Sequence, residues 1–172
     1  MKKFLVIALL IFGVGLAIFY ALGGFNPIQI SETQAPAPFL VGQRFEGRYT
    51  DQRLSEHFFA AKAWKDKEAV NGTLAVVFYN DPEKAKGQSY NFTGLATADT
   101  SKIPSGYEVI PYPAQRLLQA RIEANSLVFP RPKTVQKELQ AYAAEHGLRL
   151  DTLSIELYRS DRELLVQVPI KE

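Results

Sequence analysis

Residues 73–79 read TLAVVFY and residues 152–158 read TLSIELY, so the same pattern returns 79 positions later in the chain. Three of the seven positions are identical, three are conservative, and the remaining one sets Val77 against Glu156. Both segments are rich in the β-branched and aromatic residues that favour strands. Each also follows a stretch whose apolar residues recur with helical spacing. We therefore interpret the two segments as the same strand of an internal repeat.

The sequence around each segment predicts the same order of elements: strand, helix, strand, strand. In the first unit these are expected at residues 40–49, 54–67, 73–80 and 89–96, with a turn that starts at Asn80-Asp81-Pro82. In the second unit we expect a strand at 114–122, a helix that begins after Pro132 and ends at Gly147, and strands at 150–158 and 163–170. The predicted fold class is therefore α+β, with two pseudo-symmetric βαββ repeats at about residues 39–96 and 107–170. Their strands join into one antiparallel sheet, with the helices on one face and a groove on the other.

Strand alternation then assigns side chains to the two faces of this sheet. We expect Leu153, Ile155 and Leu157 to point toward the helices. The open face is expected to carry Ser154, Glu156 and Tyr158 from the second copy and Ala75, Val77 and Tyr79 from the first. All of these except the small Ala75 are candidate ligand-binding residues. Two tyrosines and one carboxylate suit a flat apolar cation, because aromatic faces attract cations. The alternative is that Glu156 is a solvated residue on an exposed sheet face.

The N-terminal residues predict a membrane helix. Residues 4–22 contain no charged side chain, and as a helix they would reach about 28 Å, close to the hydrocarbon core of a bilayer. A cleavable signal peptide is the competing interpretation, but its apolar region is usually shorter and ends in a small-x-small site. Lys2 and Lys3 flank the segment, which favours a cytoplasmic N-terminus and an extracytoplasmic domain. In a bacterium this would be the periplasmic side of the inner membrane.

These observations divide the chain into three parts. Residues 1–25 are the expected anchor, and residues 39–172 are the expected folded domain. Residues 26–38 between them contain Pro27, Pro36 and Pro38, a composition that predicts an extended spacer holding the domain off the bilayer.

Composition excludes several classes of function. Of the 20 Lys and Arg residues, Lys2 and Lys3 flank the apolar segment of the anchor, and the remaining 18 balance the 18 Asp and Glu residues. Without a basic face, a nucleic-acid partner is not expected. The chain has no cysteine, and His57 and His146 are its only histidines. We therefore expect no disulfide, no metal site and no cofactor, and no catalytic residue is assigned.

Short motifs give the chain a family resemblance. They are Phe45-x-Gly47-x-Tyr49, Tyr79-Asn80-Asp81-Pro82, Ile103-Pro104-x-Gly106-Tyr107, Ile155-Glu156-Leu157-Tyr158 and Val168-Pro169-Ile170. In order and spacing, residues 39–170 resemble the GyrI-like small-molecule-binding domain, which is also the effector-binding half of bacterial multidrug-responsive transcription activators. The anchor followed by Gly23-Gly24-Phe25 is similar to a membrane-tethered branch of that family.

The resemblance implies a groove that binds hydrophobic, often cationic compounds, with Glu156 as the counter-charge of the ligand. Tyr49 and Tyr107, which end two of the motifs, complete the candidate ligand-binding set. The activators carry a DNA-binding region where this chain has its apolar segment, so direct DNA contact does not transfer. Some relatives hydrolyse reactive drug-like molecules with glutamate and tyrosine residues of the groove.

Three functions follow from the sequence. The leading hypothesis is a non-enzymatic, membrane-tethered domain that senses or sequesters hydrophobic cationic or aromatic small molecules. The second is a hydrolase in the same groove, with Glu156 as general base and Tyr79 or Tyr158 as proton donor. The third is a protein-interaction module that presents a sheet edge or the groove to a partner, and it predicts no saturable binding of small molecules.

Overall fold

The apolar N-terminal segment forms a helix, α1 (Lys2–Ala21), in the computed structural model of the chain. Residues Lys3–Ala21 are long and apolar enough to cross a membrane, and none of this stretch is buried against the rest of the protein. The structure describes residues 2–67, 70–79 and 87–171. The turn predicted at Asn80-Asp81-Pro82 lies outside the described residues.

In the described part of the chain, two further helices and nine strands follow α1. The strands are β1 (Gln29–Gln34), β2 (Phe39–Arg48), β3 (Gly72–Tyr79), β4 (Gln88–Thr97), β5 (Glu108–Pro111), β6 (Arg116–Glu123), β7 (Arg149–Leu150), β8 (Leu153–Ser160) and β9 (Glu163–Lys171). The helices are α2 (Gln52–Asp66) and α3 (Pro132–Glu145), and a 3-10 turn covers Ser126–Val128.

Local chemistry fixes the ends of both helices. The Asp51 carboxylate accepts a hydrogen bond from the Arg53 backbone N–H at 3.0 Å, which caps the start of α2. Pro132 occupies the first turn of α3, where its missing N–H costs nothing. Gly147 follows α3 with φ +66°, a conformation that favours glycine. The two predicted helices are therefore confirmed, with α2 starting two residues earlier than expected.

The predicted repeat is confirmed as β2-α2-β3-β4 and β6-α3-β8-β9, and the α+β fold class with it. Along the antiparallel sheet the strand order is β1-β6-β9-β8-β3-β4-β2-β5. The two units meet at the β3–β8 pair in the middle of this order.

The sheet curves until its two ends meet. Strand β1 pairs with β6 and strand β2 pairs with β5, in one continuous register that runs from Gln29 opposite Arg121 to Gly42 opposite Glu108. Between these ladders, the Ala35 N–H donates to the Gln115 carbonyl and the Tyr112 N–H to the Pro38 carbonyl. The sheet is thereby closed, and its inner face needs no helix to cover it.

The closed interior is filled by side chains from the sheet and its linking segment. It contains Leu40, Ala75, Val77, Phe92, Ala96, Tyr112, Leu117, Ile155, Leu157 and Leu165, all buried, and none of these comes from a helix. The helices α2 and α3 both pack on the outer face, in two separate apolar clusters. The groove predicted on the face without helices is therefore wrong, because that face is the packed interior.

The predicted assignment of faces is also wrong. Leu153, Ile155 and Leu157 point into the closed interior, whereas Ser154, Glu156 and Tyr158 lie on the helix side. The register pairs Val76 with Glu156 and Val77 with Ile155. Residues 79 positions apart, such as Val77 and Glu156, therefore lie on opposite faces of the sheet. The sequence repeat is offset by one residue from the structural repeat, and an offset of one residue along a strand moves every side chain to the other face.

The spacer predicted at residues 26–38 is wrong as well, because Gln29–Gln34 form β1 and pair with β6 along their whole length. Ile28 and Ile30 pack against the apolar cluster under α3. The polar residues between the prolines conceal this strand, since Ile30 is the one large apolar residue in the sequence of β1 and Ile28 directly precedes it.

Candidate functional site

A cavity of about 660 Å³ lies between α3 and the outer face of the sheet. This is the size of ordinary small-molecule sites. Its apolar wall consists of Phe78, Pro130, Pro132, Val135, Leu139, Leu150, Leu164, Val166 and Val168. Leu153, at the start of β8, also borders the cavity while it packs against the interior cluster. Its polar and aromatic wall consists of Tyr49, Gln136, Gln140, Asp151, Thr152, Ser154 and Glu156. The cavity is therefore mostly apolar, with few polar groups to orient a ligand.

The repeat periods of the helix and the strand determine which side chains line the cavity. In α3, Val135, Leu139 and Ala143 recur at intervals of four and are buried against β6 and β9. In β8, alternation turns Ser154 and Glu156 toward α3 while Ile155 enters the closed interior. The carboxylate thus stands on a rigid central strand beneath the helix layer.

Glu156 is held by its neighbour on the same face of the strand. The Tyr158 hydroxyl donates a hydrogen bond to Glu156 Oε2 at 2.5 Å. The Tyr158 ring packs edge-to-face on Phe58 of α2, with ring centroids 5.2 Å apart, and it contacts the apolar clusters under both helices. A tyrosine wedged between the two helices therefore fixes the position of the carboxylate.

Burial dominates the electrostatics of this pair. Loss of solvent raises the pKa of Glu156 above its ordinary value, and the hydrogen bond from Tyr158 pulls it back only in part. Burial also raises the pKa of Tyr158, so the phenol stays protonated and remains a donor. Within residues 2–67, 70–79 and 87–171, no Lys or Arg forms an ion pair with Glu156. Glu156 is therefore a desolvated carboxylate that no described Lys or Arg neutralises.

The predicted ligand-binding residues fall into two groups. Glu156, Ser154 and Tyr49 line the cavity, with Tyr49 62% exposed. Tyr158 does not line it but holds Glu156.

The structure does not bring Val77, Tyr79 and Tyr107 to the cavity. Val77 is completely buried in the closed interior. Tyr79 packs against that same cluster, and its ring contacts the Tyr90 ring at a tilt of 37° with centroids 4.8 Å apart. Tyr107 packs edge-to-face on Trp64 of α2 at 5.2 Å. The one-residue phase error accounts for Val77 and Tyr79.

The sequence analysis missed the α3 side of the cavity. Gln136 and Gln140 line it one helical turn apart, beside the buried stripe of Val135 and Leu139. The sequence signal for this wall was a pair of amide side chains four residues apart, directly beside the apolar residues of the helix. In the part of the chain that the structure describes, no group of three or more His, Asp or Glu side chains could hold a metal ion.

A family model described as the GyrI-like small molecule binding domain matches residues 29–171. None of the curated protein sequences matches the chain.

Several solved structures share the fold. The C-terminal domain of EcmrR is 15% identical over 84% of this chain and 98% of its own, with a TM-score of 0.60. A protein named SAV2435, solved bound to tetraphenylphosphonium, is 16% identical over 84% of this chain and 94% of its own, with a TM-score of 0.53. A protein described as a hydrolase from Listeria innocua is 11% identical over 83% and 92%, with a TM-score of 0.54. Identities this low establish a common fold alone.

Proposed function

Because the chain belongs to the GyrI-like small-molecule-binding family, we propose that it is a membrane-tethered domain that binds hydrophobic cations in the cavity under α3. Its role would be to sense or sequester such molecules at a membrane. The observation that carries this proposal is the buried Glu156 carboxylate in the cavity wall, which has a tyrosine donor and, among the residues that the structure describes, no cationic partner.

A cationic ligand would supply the opposite charge that the buried Glu156 carboxylate requires. Removing a charge from water is costly unless an opposite charge is close, so an apolar cation in the cavity would offset the desolvation of Glu156. The apolar wall of Val135, Leu139, Val166 and their neighbours would take up the rest of the ligand surface. Tyr49 at the rim can add an aromatic face.

The tether is proposed from α1, which is long and apolar enough to cross a bilayer. Lys2 and Lys3 at its start favour a cytoplasmic N-terminus, with the domain on the extracytoplasmic side. A cleavable signal peptide remains the alternative for the same residues.

Titration of the full chain in detergent with tetraphenylphosphonium tests the proposed binding. This probe is chosen because a protein of the same fold was solved with it. We expect saturable binding, measured by calorimetry, that is at least tenfold tighter than binding of the neutral triphenylmethanol. The reason is that only the cation interacts favourably with the ionised Glu156. If neither compound binds saturably, a protein-interaction module becomes the better description.

Hydrolysis in the same cavity is a second candidate function, favoured by one observation. Burial raises the pKa of Glu156, and a raised pKa is what a general base near neutral pH requires. Of the two proton donors expected from the sequence, Tyr158 bonds to Glu156, whereas Tyr79 packs against the interior cluster. Hydrolysis predicts that a reactive ester probe is consumed over time and that Glu156→Gln abolishes its consumption.

A further inference from the structure

The end of α1 is fixed directly to the folded domain. The Asn125 N–H donates to the Leu22 carbonyl at 2.8 Å, and the Asn26 side-chain amide donates to the Glu123 carbonyl at 2.5 Å. Gly23 between them has φ +83°, and a Cβ there would meet the Glu123 carbonyl oxygen at 3.0 Å. The helix therefore ends on the loop that follows β6, and its orientation is coupled to that of the domain.

The same loop carries an exposed apolar side chain. Leu127 is 84% exposed, more than any other large apolar side chain in the described residues. It stands on the 3-10 turn Ser126–Val128, whose start is capped by a hydrogen bond from the Leu127 N–H to Asn125 Oδ1 at 3.1 Å. Leu127 is thus held on a short, capped turn, exposed, two residues from the Asn125 backbone that bonds to the end of α1.

Charged residues flank this leucine. The turn between β8 and β9 lies beside the loop, because the Ser126 N–H donates to the Asp161 carbonyl and the Ala124 N–H to the Arg162 carbonyl. Exposed cations in these segments or next to them in the chain are Arg131, Lys133, Arg159 and Arg162, and the nearby carboxylates are Glu123, Asp161 and Glu163. Of these carboxylates, Glu123 and Glu163 pair with Arg121, and Glu163 also approaches Arg159. Arg131, Lys133 and Arg162 then remain against the single carboxylate of Asp161, so the remaining charge near Leu127 is net positive.

The reach of the chain limits how far Leu127 can stand from a bilayer that contains α1. Asn125 bonds to the residue that follows α1, and two further residues extend at most about 7 Å. The headgroup layer on each side of the hydrocarbon core is about 5 to 8 Å thick. With α1 across a bilayer, Leu127 would therefore be close enough to reach the headgroup layer.

We propose that the surface formed by Leu127, Phe25 and the flanking cations docks on the bilayer that α1 enters, with Leu127 inserted among the lipids. This inference rests on the proposed membrane tether. Phe25 is also exposed, and its ring packs edge-to-face on Phe19 at the end of α1. The exposed Arg and Lys side chains near Leu127 would be attracted to the negatively charged phosphates of lipid headgroups. Because Pro130 and Pro132 line the cavity a few residues beyond Leu127, docking would set one end of the cavity at the membrane surface.

Site-specific fluorescence on the full chain tests the docking. Since the sequence has no cysteine, Leu127→Cys provides a unique thiol for an environment-sensitive fluorophore. Glu145→Cys provides the matched control, because it is exposed at the far end of α3, about 20 Å from Pro132 along the helix. Both proteins are reconstituted into vesicles of phosphatidylcholine and phosphatidylglycerol that contain nitroxide-labelled acyl chains.

We expect the label at position 127 to be quenched by the nitroxide lipids at least threefold more than the label at 145. Equal, weak quenching of both labels in a chain that resists alkaline carbonate extraction would overturn the docking surface and leave the tether intact. Extraction of the chain by carbonate would overturn the tether and the docking together.

Discussion

At the scale of single residues, Glu156 links the sequence to the proposed function. It is the one position at which the two sequence copies differ in kind, and the structure places it in the wall of a cavity with Tyr158 as its donor. The sequence could identify the residue because charge in the middle of a strand is conspicuous. It could not identify its surroundings, because the partner strands of β8 and the packing of α3 are set by contacts distant in sequence.

The raised pKa of Glu156 predicts how cation binding depends on pH. Only the ionised carboxylate attracts the cation, so affinity for tetraphenylphosphonium should rise as pH increases through the raised pKa and then level off. The bound cation favours the ionised form, so protons should be released on binding in the same pH range. Calorimetric titration from the ordinary glutamate pKa of 4.5 upward to neutral pH measures both effects.

A matched variant sharpens this pH test. The hydrogen bond from Tyr158 lowers the pKa of Glu156, so Tyr158→Phe should move the midpoint of the affinity change to higher pH. An affinity that does not vary with pH in the wild type would show that the ligand does not interact with a titrating carboxylate.

At the scale of secondary structure, local patterns were enough to predict most elements but not their faces. Pro132 and Gly147 mark the ends of α3, and its apolar stripe marks its buried face. The pairing of β1 and β2 with β5 and β6 joins residues 66 to 92 positions apart in sequence. Nothing local specifies that pairing, so the closed interior and the strand β1 escaped the sequence analysis.

Val77→Glu tests which face of β3 is closed. Val77 is fully buried among apolar side chains of the sheet, so a carboxylate there would be desolvated without a partner, at a cost of about 3 to 5 kcal/mol. We expect the apparent Tm of the chain in detergent to fall by at least about 6 °C, judged from domains of this size. Ser31→Glu, on an exposed position of β1, is the control and should shift the Tm by less than about 2 °C. A Tm of Val77→Glu as high as that of the control would mean that this face is open.

At the scale of the whole molecule, one closed sheet supports the cavity on its outer face and receives the end of α1 at the loop after β6. The uncharged segment at 4–22 and the balanced charge of the remaining chain were evident from the sequence. The direct junction between α1 and the domain was not, because it depends on Gly23 and Asn125, which are 102 positions apart. The proposed tether and the cavity thus belong to one connected structure.

The most direct test of the proposed function is calorimetric titration of Glu156→Gln with tetraphenylphosphonium. Glutamine keeps the shape of the side chain but removes the charge, so affinity should fall by about 2 to 5 kcal/mol, which is roughly 30-fold or more. Glu138→Gln removes the same charge from an exposed position of α3 that does not line the cavity, and it should bind within about twofold of the wild type. If Glu156→Gln binds the cation as tightly as the wild type and Glu138→Gln do, Glu156 is not the counter-charge of the ligand and the proposed function is wrong.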